Sequence, residues 1–104
     1  SQGYGTVGRN ERQGGKMTDT IHKYEFLVDS EVAVMMRKRA TILNVGTQRP
    51  RYICVWALVD TDKPLVERVF RIRGTGHPVN FSLDDYPYRG TVQDREFVWH
   101  VFGG

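Results

Sequence analysis

Residues 51–60 read RYICVWALVD, and this stretch decides the fold class. Two apolar sets alternate along it: Tyr52, Cys54, Trp56 and Leu58 in one, and Ile53, Val55, Ala57 and Val59 in the other. Successive side chains of a strand point to opposite faces, so the alternation indicates a strand that is apolar on both faces. The stretch therefore predicts a central strand with both of its faces covered.

The preceding segments also have a period of two. His22, Tyr24, Phe26 and Val28 alternate with Lys23 and Glu25, which is typical of a half-buried first strand. Residues 32–36 predict an extended or short irregular piece, and a polar connection leads from it into an extended segment at residues 40–47. A helix over residues 30–39, capped by Ser30, is the alternative, but β-branched valines argue against it.

The C-terminal half continues in the same way. Residues 60–64 read DTDKP, a turn signal, and residues 66–73 again alternate, which predicts an antiparallel hairpin with the strand at 51–60. Residues 80–87 are polar and predict a loop, and residues 88–92 and 96–102 predict a closing pair of strands. The sequence thus predicts an all-β antiparallel sandwich or small barrel of about seven strands.

The domain boundary is placed by composition. Residues 1–16 contain five glycines and no periodicity, which predicts a flexible leader. Met17-Thr18-Asp19-Thr20 resembles a natural start of translation, and we therefore expect the leader to be added sequence or an upstream extension. Residues 17–104 are predicted to form a single β domain.

Charge and cysteine content limit the function classes. The formal net charge is +3, and Arg9, Arg12 and Lys16 against Glu11 place +2 of it in the leader. The nearly neutral remainder does not favour nucleic-acid binding. Cys54 is the single cysteine, which excludes an intramolecular disulfide, and its apolar neighbours predict a buried, unreactive thiol. With no apolar run of membrane length and no visible export signal, we expect a cytoplasmic protein.

The most distinctive loop reads Gly74-Thr75-Gly76-His77-Pro78. Glycines let backbone N–H groups approach an anion, so this loop together with Arg71 and Arg73 is the candidate ligand-binding site, for a nucleotide or nucleic acid. The loop lacks the Lys-Ser or Lys-Thr of a P-loop and the third glycine of a dinucleotide fingerprint. A tight turn with Pro78 fixing its exit is the alternative interpretation.

Catalytic and metal signals are weak. His22, His77 and His100 lack the short spacing that places two ligands on one element, so neither a metal nor another cofactor is predicted. The paired aspartates at 60 and 62 and at 84 and 85 lie in turn-like segments, where Asp favours local hydrogen bonds. No serine or cysteine has a nucleophile context. The sequence predicts a protein that is not an enzyme.

Large aromatic side chains mark the candidate interface. Trp56, Tyr88 and Trp99 are the residues selected for it, since such side chains dominate contact surfaces. The expected partner is a protein of unknown identity, and self-association stays open.

Five strings carry a resemblance to a known family: Ile21-His22-Lys23-Tyr24, Val55 to Asp60, Phe70-Arg71-Ile72, Gly74 to Pro78 and Trp99-His100-Val101-Phe102. In this order they resemble a family of small proteins, without an assigned activity, of tailed bacteriophages and prophages. The resemblance covers residues 21–102. Two loops depart from the family pattern, at residues 37–40 and 93–96, which puts any shared loop function in doubt.

The resemblance implies a phage protein made in the bacterial cytoplasm. Together with the missing catalytic constellation, it predicts a non-enzymatic accessory protein that binds a host or phage macromolecule. A virion component, either a decoration or a tail-associated protein, is the second prediction, and nucleotide or nucleic-acid capture by the glycine-rich loop is the third.

Overall fold

A computed structural model describes residues 17–104 of the chain. This part holds seven strands and no helix: β1 Asp19–Leu27, β2 Glu31–Arg37, β3 Thr41–Gly46, β4 Tyr52–Asp60, β5 Leu65–Gly74, β6 Tyr88–Asp94 and β7 Phe97–Gly103. The predicted all-β class is confirmed. The alternative helix over residues 30–39 is wrong, because β2 occupies most of that range. The predicted leader, residues 1–16, lies outside the described residues, and no helix in residues 17–104 is long and apolar enough to cross a membrane.

The strands form two antiparallel sheets that pack face to face as a sandwich. The three-stranded sheet has the order β1-β4-β3, and the four-stranded sheet has the order β2-β5-β7-β6. The predicted central strand is β4, which pairs with β1 on one side and with β3 on the other. The predicted closing pair is also confirmed, since β6 pairs with β7.

The predicted hairpin of residues 51–60 with 66–73 is wrong. Both edges of β4 are occupied by its neighbours in the three-stranded sheet, so β5 has no edge of β4 to pair with. The turn signal itself is correct: the Lys63 N–H donates to the Asp60 carbonyl at 3.0 Å, and the Asp62 N–H donates to the Asp60 carboxylate. This turn carries the chain from one sheet to the other.

The core lies between the sheets. The inward residues of β4 are almost completely inaccessible, and across the core the rings of Phe26 and Phe70 have centroids 5.5 Å apart. The prediction that both faces of β4 are covered holds only for this inward face. On the outward face Trp56 and Leu58 stay half-buried, because no further layer formed by residues 17–104 covers them. Cys54 is the exception; it is buried as predicted, and burial raises the pKa of its thiol.

One side of the sandwich is closed, where the edge strands β3 and β6 meet. A Cβ atom on Gly90 of β6 would lie 2.6 Å from Cγ2 of Val45 on β3, so only glycine permits this approach. On the opposite side, β1 and β2 are the two remaining edge strands. Within the part of the chain that the structure describes, the sandwich therefore has one closed side, at β3 and β6, and one open side, at β1 and β2.

A buried carboxylate ties the sheets together near the closed side. Asp94, at the end of β6, is 4% exposed. It accepts a hydrogen bond from the Arg51 N–H, just before β4, at 3.0 Å and one from Arg95 Nε at 3.2 Å. These two bonds, that from Arg95 first, lower the pKa of Asp94 below its ordinary value of 3.8. The ionised form is thus the form that the fold stabilises.

This lowered pKa predicts a pH dependence of stability. Because the folded pKa is depressed, Asp94 contributes stability above the unfolded pKa of about 3.9 and loses that contribution as the pH falls through the folded pKa. We expect Asp94→Asn to unfold more easily than wild type at neutral pH, and the difference to shrink below about pH 4. Denaturant midpoints measured across the pH range check this. The exposed Asp84→Asn is the matched control, and a wild-type advantage over Asp94→Asn that is constant with pH would contradict the assignment.

Candidate functional site

The outer face of the four-stranded sheet is covered by the chain itself. The loop of residues 75–87, which joins β5 to β6, folds back over this face. The ring of Phe81 in the loop contacts Tyr86 and Phe102 edge-on, each at a centroid distance of 5.3 Å. Phe102 on β7 is consequently only 8% exposed. The loop therefore covers the part of this face around Phe102, and a partner cannot contact that part directly.

The two arginines of the predicted ligand site hold this loop in place. Arg73 donates to the carbonyls of Pro78 at 3.1 Å and Ser30 at 2.8 Å. Arg71 forms an ion pair with Glu31 at 3.1 Å, and its guanidinium lies over the Tyr86 ring. Both guanidinium groups are thus engaged by acceptors and rings of the same chain. Their positions do not favour the predicted role of recruiting an anion.

The predicted glycine-rich loop begins with a tight turn. The His77 N–H donates to the Gly74 carbonyl at 3.0 Å, and Gly76 has φ of 91°, the geometry of a type II turn with glycine at its third position. The His77 ring packs on Gly74, whose N–H donates to His77 Nδ1 at 3.2 Å. The turn interpretation is confirmed. Residues 75–78 are exposed, and ligand binding by them stays a prediction.

Thr75 participates in a chain of polar contacts that the sequence analysis missed. Its Oγ1 lies 2.8 Å from His100 Nε2, and His100 Nδ1 lies 3.0 Å from Thr91 Oγ1. The Thr91 hydroxyl in turn contacts the Tyr88 hydroxyl. Thr91 is opposite His100 in the β6–β7 register, so only strand pairing reveals the cluster.

A hydroxyl beside an imidazole is the arrangement of an activated nucleophile and its base. In catalytic triads the second ring nitrogen faces a carboxylate or an amide, which orients the ring and stabilises its charged form. Here the hydroxyl of Thr91 takes that place. No group of three metal-ligating side chains lies together within residues 17–104. The cluster therefore fits a network of satisfied cross-strand polar groups better than a catalytic centre.

The predicted interface aromatics lie in three different places. Tyr88 is 54% exposed at the edge of the loop-covered face, with its ring 5.7 Å from Phe102. Trp99 lies instead on the inner face of β7, where it packs against the core and stacks on Phe97. Its position corresponds to a core residue, so the prediction that Trp99 forms an interface finds no support in this placement.

Trp56 lies on a face that nothing in residues 17–104 covers. We call this the open face; it is the outer face of the three-stranded sheet and comprises Ile21, Lys23, Glu25, Leu27, Tyr52, Trp56 and Leu58. The six-membered ring of Trp56 lies across Gly46 of β3, 3.2 Å from where a Cβ would be. Ile21, 59% exposed, is opposite Leu58 in the register. The side chains of Trp56, Ile21 and Leu58 form an apolar patch on the open face.

The other end of the open face is polar. Glu25 pairs with Arg49 at 3.1 Å, and the Arg49 guanidinium lies 3.7 Å from the centroid of the Tyr52 ring. The hydrogen bond from Arg49 lowers the pKa of Glu25 below its ordinary value of 4.5. Lys23 Nζ donates to Gln48 at 2.7 Å. Charged groups of both signs thus border the apolar patch.

Comparison with known proteins gives one match. A family model described as a domain of unknown function (DUF7352) matches residues 17–104. No curated protein and no solved structure matches the chain significantly.

Proposed function

We propose that this chain, which belongs to the DUF7352 family of domains of unknown function, is a non-enzymatic interaction domain. It binds another protein through its open face. One observation carries the proposal. The outer face of the four-stranded sheet is covered in part by the loop of residues 75–87, whereas no other segment of residues 17–104 covers the outer face of the three-stranded sheet, which presents Trp56 at its centre.

The composition of the open face supports this role. Tryptophan is enriched among the residues that dominate binding energy, above all when a ring of other contacts excludes water around it. Ile21 and Leu58 supply apolar area beside Trp56, and the Glu25–Arg49 pair and Lys23 supply a polar rim. An apolar centre with a charged border is the usual anatomy of a protein interface.

The alternatives have less support from the geometry. Nucleotide or nucleic-acid capture by the glycine-rich loop would need accessible arginine donors, but Arg73 donates to the Ser30 carbonyl and Arg71 pairs with Glu31, while the remaining Nε of Arg71 is buried. A catalytic triad built on His100 would have a carboxylate or an amide where Thr91 stands. For biological context, we propose from the resemblance of the strings that the protein is a phage accessory protein acting in the bacterial cytoplasm, with a virion component as the alternative.

The proposal is tested by capture and then by affinity. Tagged wild-type chain, Trp56→Ala and Tyr88→Ala are used to retain proteins from phage-infected bacteria, which are identified by mass spectrometry. The retained partner is purified and titrated against each variant by calorimetry. We expect Trp56→Ala to weaken binding by about 30-fold or more, as for a residue whose truncation costs at least 2 kcal/mol. Tyr88→Ala removes an exposed aromatic side chain from the other sheet and should bind like wild type.

Thermal melts of both variants show whether any loss is due to unfolding. Unchanged affinity of folded Trp56→Ala would refute binding through the open face. Turnover of nucleotides, nucleic acid or peptides by the purified chain, lost in His77→Ala or His100→Ala, would refute the non-enzymatic role. A host protein as partner supports the accessory role, and a structural protein of the particle supports the virion role instead.

A further inference from the structure

The open side of the sandwich ends in two strand edges, and that of β1 is unpaired within residues 17–104. In antiparallel sheets, hydrogen-bonded residue pairs alternate with non-bonded ones. The Val28 N–H donates to the Arg51 carbonyl, and the Thr61 N–H donates to the Thr18 carbonyl, at the two ends of the β1–β4 pairing. Because hydrogen-bonded pairs recur at every second residue, the even-numbered residues of β1 direct their backbone groups to β4. The odd-numbered residues Ile21, Lys23, Glu25 and Leu27 therefore direct their backbone N–H and C=O groups to the free edge.

Along the free edge these four residues are apolar, positive, negative and apolar in turn. The pattern of apolar and charged residues is therefore the same from either end, and only the sign of the charge is reversed. If a second copy of β1 pairs antiparallel about a two-fold axis at Tyr24, Lys23 of one copy faces Glu25 of the other, and Ile21 faces Leu27. Opposite charges and apolar side chains directly across two strands are stabilising pairs. The edge of β1 is therefore complementary to itself.

The neighbouring registers lack this complementarity. A shift of two residues in one direction places Lys23 opposite Lys23 of the second copy, and a shift in the other direction places Glu25 opposite Glu25. Like charges directly opposite each other are destabilising. A shift of a single residue would exchange the faces of the strand and remove the edge hydrogen bonds. The register centred on Tyr24 is therefore the favoured one.

The second edge on the open side, β2, has the same property. The Ile72 N–H donates to the Ser30 carbonyl, and the Lys38 N–H donates to the Pro64 carbonyl. By the same alternation, the even-numbered residues of β2 direct their backbone groups to β5. Glu31, Ala33, Met35 and Arg37 then face the free edge. A two-fold axis at Val34 places Glu31 opposite Arg37 of the second copy, and Ala33 opposite Met35.

One axis can serve both edges. Tyr24 and Val34 are equally distant along the chain from Asp29, in the connection between β1 and β2. Tyr24 on β1 and Val34 on β2 both pack against the core between the sheets, from opposite sides. A single two-fold axis perpendicular to both sheets can therefore pass beside both centres.

We propose that the protein forms a symmetric dimer in which β1 pairs with β1 and β2 pairs with β2 of a second copy. The three-stranded sheets join into one sheet of six strands, and the four-stranded sheets join into one of eight. Tyr24, Val32 and Val34, which are partly buried against the core, become more buried at the junction. This dimer does not depend on the proposed partner, although it shares Lys23 and Glu25 at the border of the open face with that binding role; Trp56, on β4, stays outside the junction of the two copies.

The test exchanges the charges on β1. Lys23→Glu places two carboxylates opposite each other at both ends of the central pairing, and Glu25→Lys places two ammonium groups there. Each variant alone should therefore be monomeric in sedimentation equilibrium where the wild type is dimeric. Mixing the two variants restores every opposite-charge pair, and we expect a heterodimer. A monomeric wild type over the whole accessible concentration range would overturn the proposal, as would homodimers of both variants as stable as those of the wild type.

Cysteine substitution tests the register. Tyr24 faces its own copy across the axis, at the Cα separation of about 4.5 Å typical of a non-hydrogen-bonded pair, which a disulfide can bridge. We expect Tyr24→Cys to form an intermolecular disulfide under mild oxidation, whereas His22→Cys, which would face Phe26, should not. The buried Cys54 thiol does not interfere. Equal cross-linking of both variants, or none of either, would contradict the register centred on Tyr24.

Discussion

Replacing Phe70 with Ala is expected to lower the free energy of unfolding by about 3–5 kcal/mol. Phe70 is completely buried on the inner face of β5, packs on Phe26 from the other sheet, and has Gly104 against its ring. Its removal takes contacts from both layers and leaves a cavity that the strands cannot collapse to fill. A loss of this size is a large part of the free energy of unfolding of a natural domain, which is about 5–15 kcal/mol.

Denaturant unfolding followed by circular dichroism measures this loss. The matched control is Phe97→Ala, since Phe97 is 42% exposed and leaves no closed cavity. It should cost clearly less than Phe70→Ala. Equal costs for the two phenylalanines would mean that the interior between the sheets is not the main source of stability.

The second large effect is expected at the closed side. Gly90→Ala places a methyl group against Val45 and imposes a side chain on a residue with φ of 155°, and we expect a cost of about 2–5 kcal/mol. The two contributions are separable, because only the first depends on Val45. In a Val45→Ala background, which lacks the clashing Cγ2 atom, the cost of Gly90→Ala should fall to that of the backbone conformation alone.

A double-mutant cycle of Gly90→Ala and Val45→Ala measures the coupling. We expect each single variant to be destabilised and the double variant to be more stable than the sum of the single losses predicts. Strict additivity would show that β3 and β6 do not meet at these two side chains.

The local sequence pattern was sufficient to predict where the strands are, but not to predict which strands pair with each other. The period of two identified every strand, including β4 as a central one, because alternation depends only on neighbours in the chain. The wrong hairpin of β4 with β5 shows the limit. The turn at residues 60–64 has the same local chemistry whether the chain returns along the same sheet or crosses to the other one. That choice is made by β1 and β3, which occupy both edges of β4.

The candidate site divides in the same way. Trp56 was selected as an interface residue and lies half-buried on the open face, although the alternation had predicted that this face is covered; that Trp56 binds a partner stays a prediction. What left that face bare was the absence of a further layer within residues 17–104, which no local pattern reports. Arg71 and Arg73 were predicted to recruit a ligand, and they are directed instead to the loop of residues 75–87. The pair of Thr75 with His100 joins residues far apart in sequence and follows only from the fold.

The contact of Gly90 with Val45 also limits growth. A sandwich with bare strand edges on both sides could add copies end to end without limit, as fibrils do, and natural proteins need devices to prevent this. In this chain the close approach of β3 and β6 crowds one side of the sandwich, whereas β1 and β2 leave the other side to the proposed dimer. A two-fold pairing uses the β1 and β2 edges of both molecules at once, so assembly through these edges terminates at two molecules. By permitting the close approach on the other side, Gly90 favours a closed pair of molecules over an open-ended fibre.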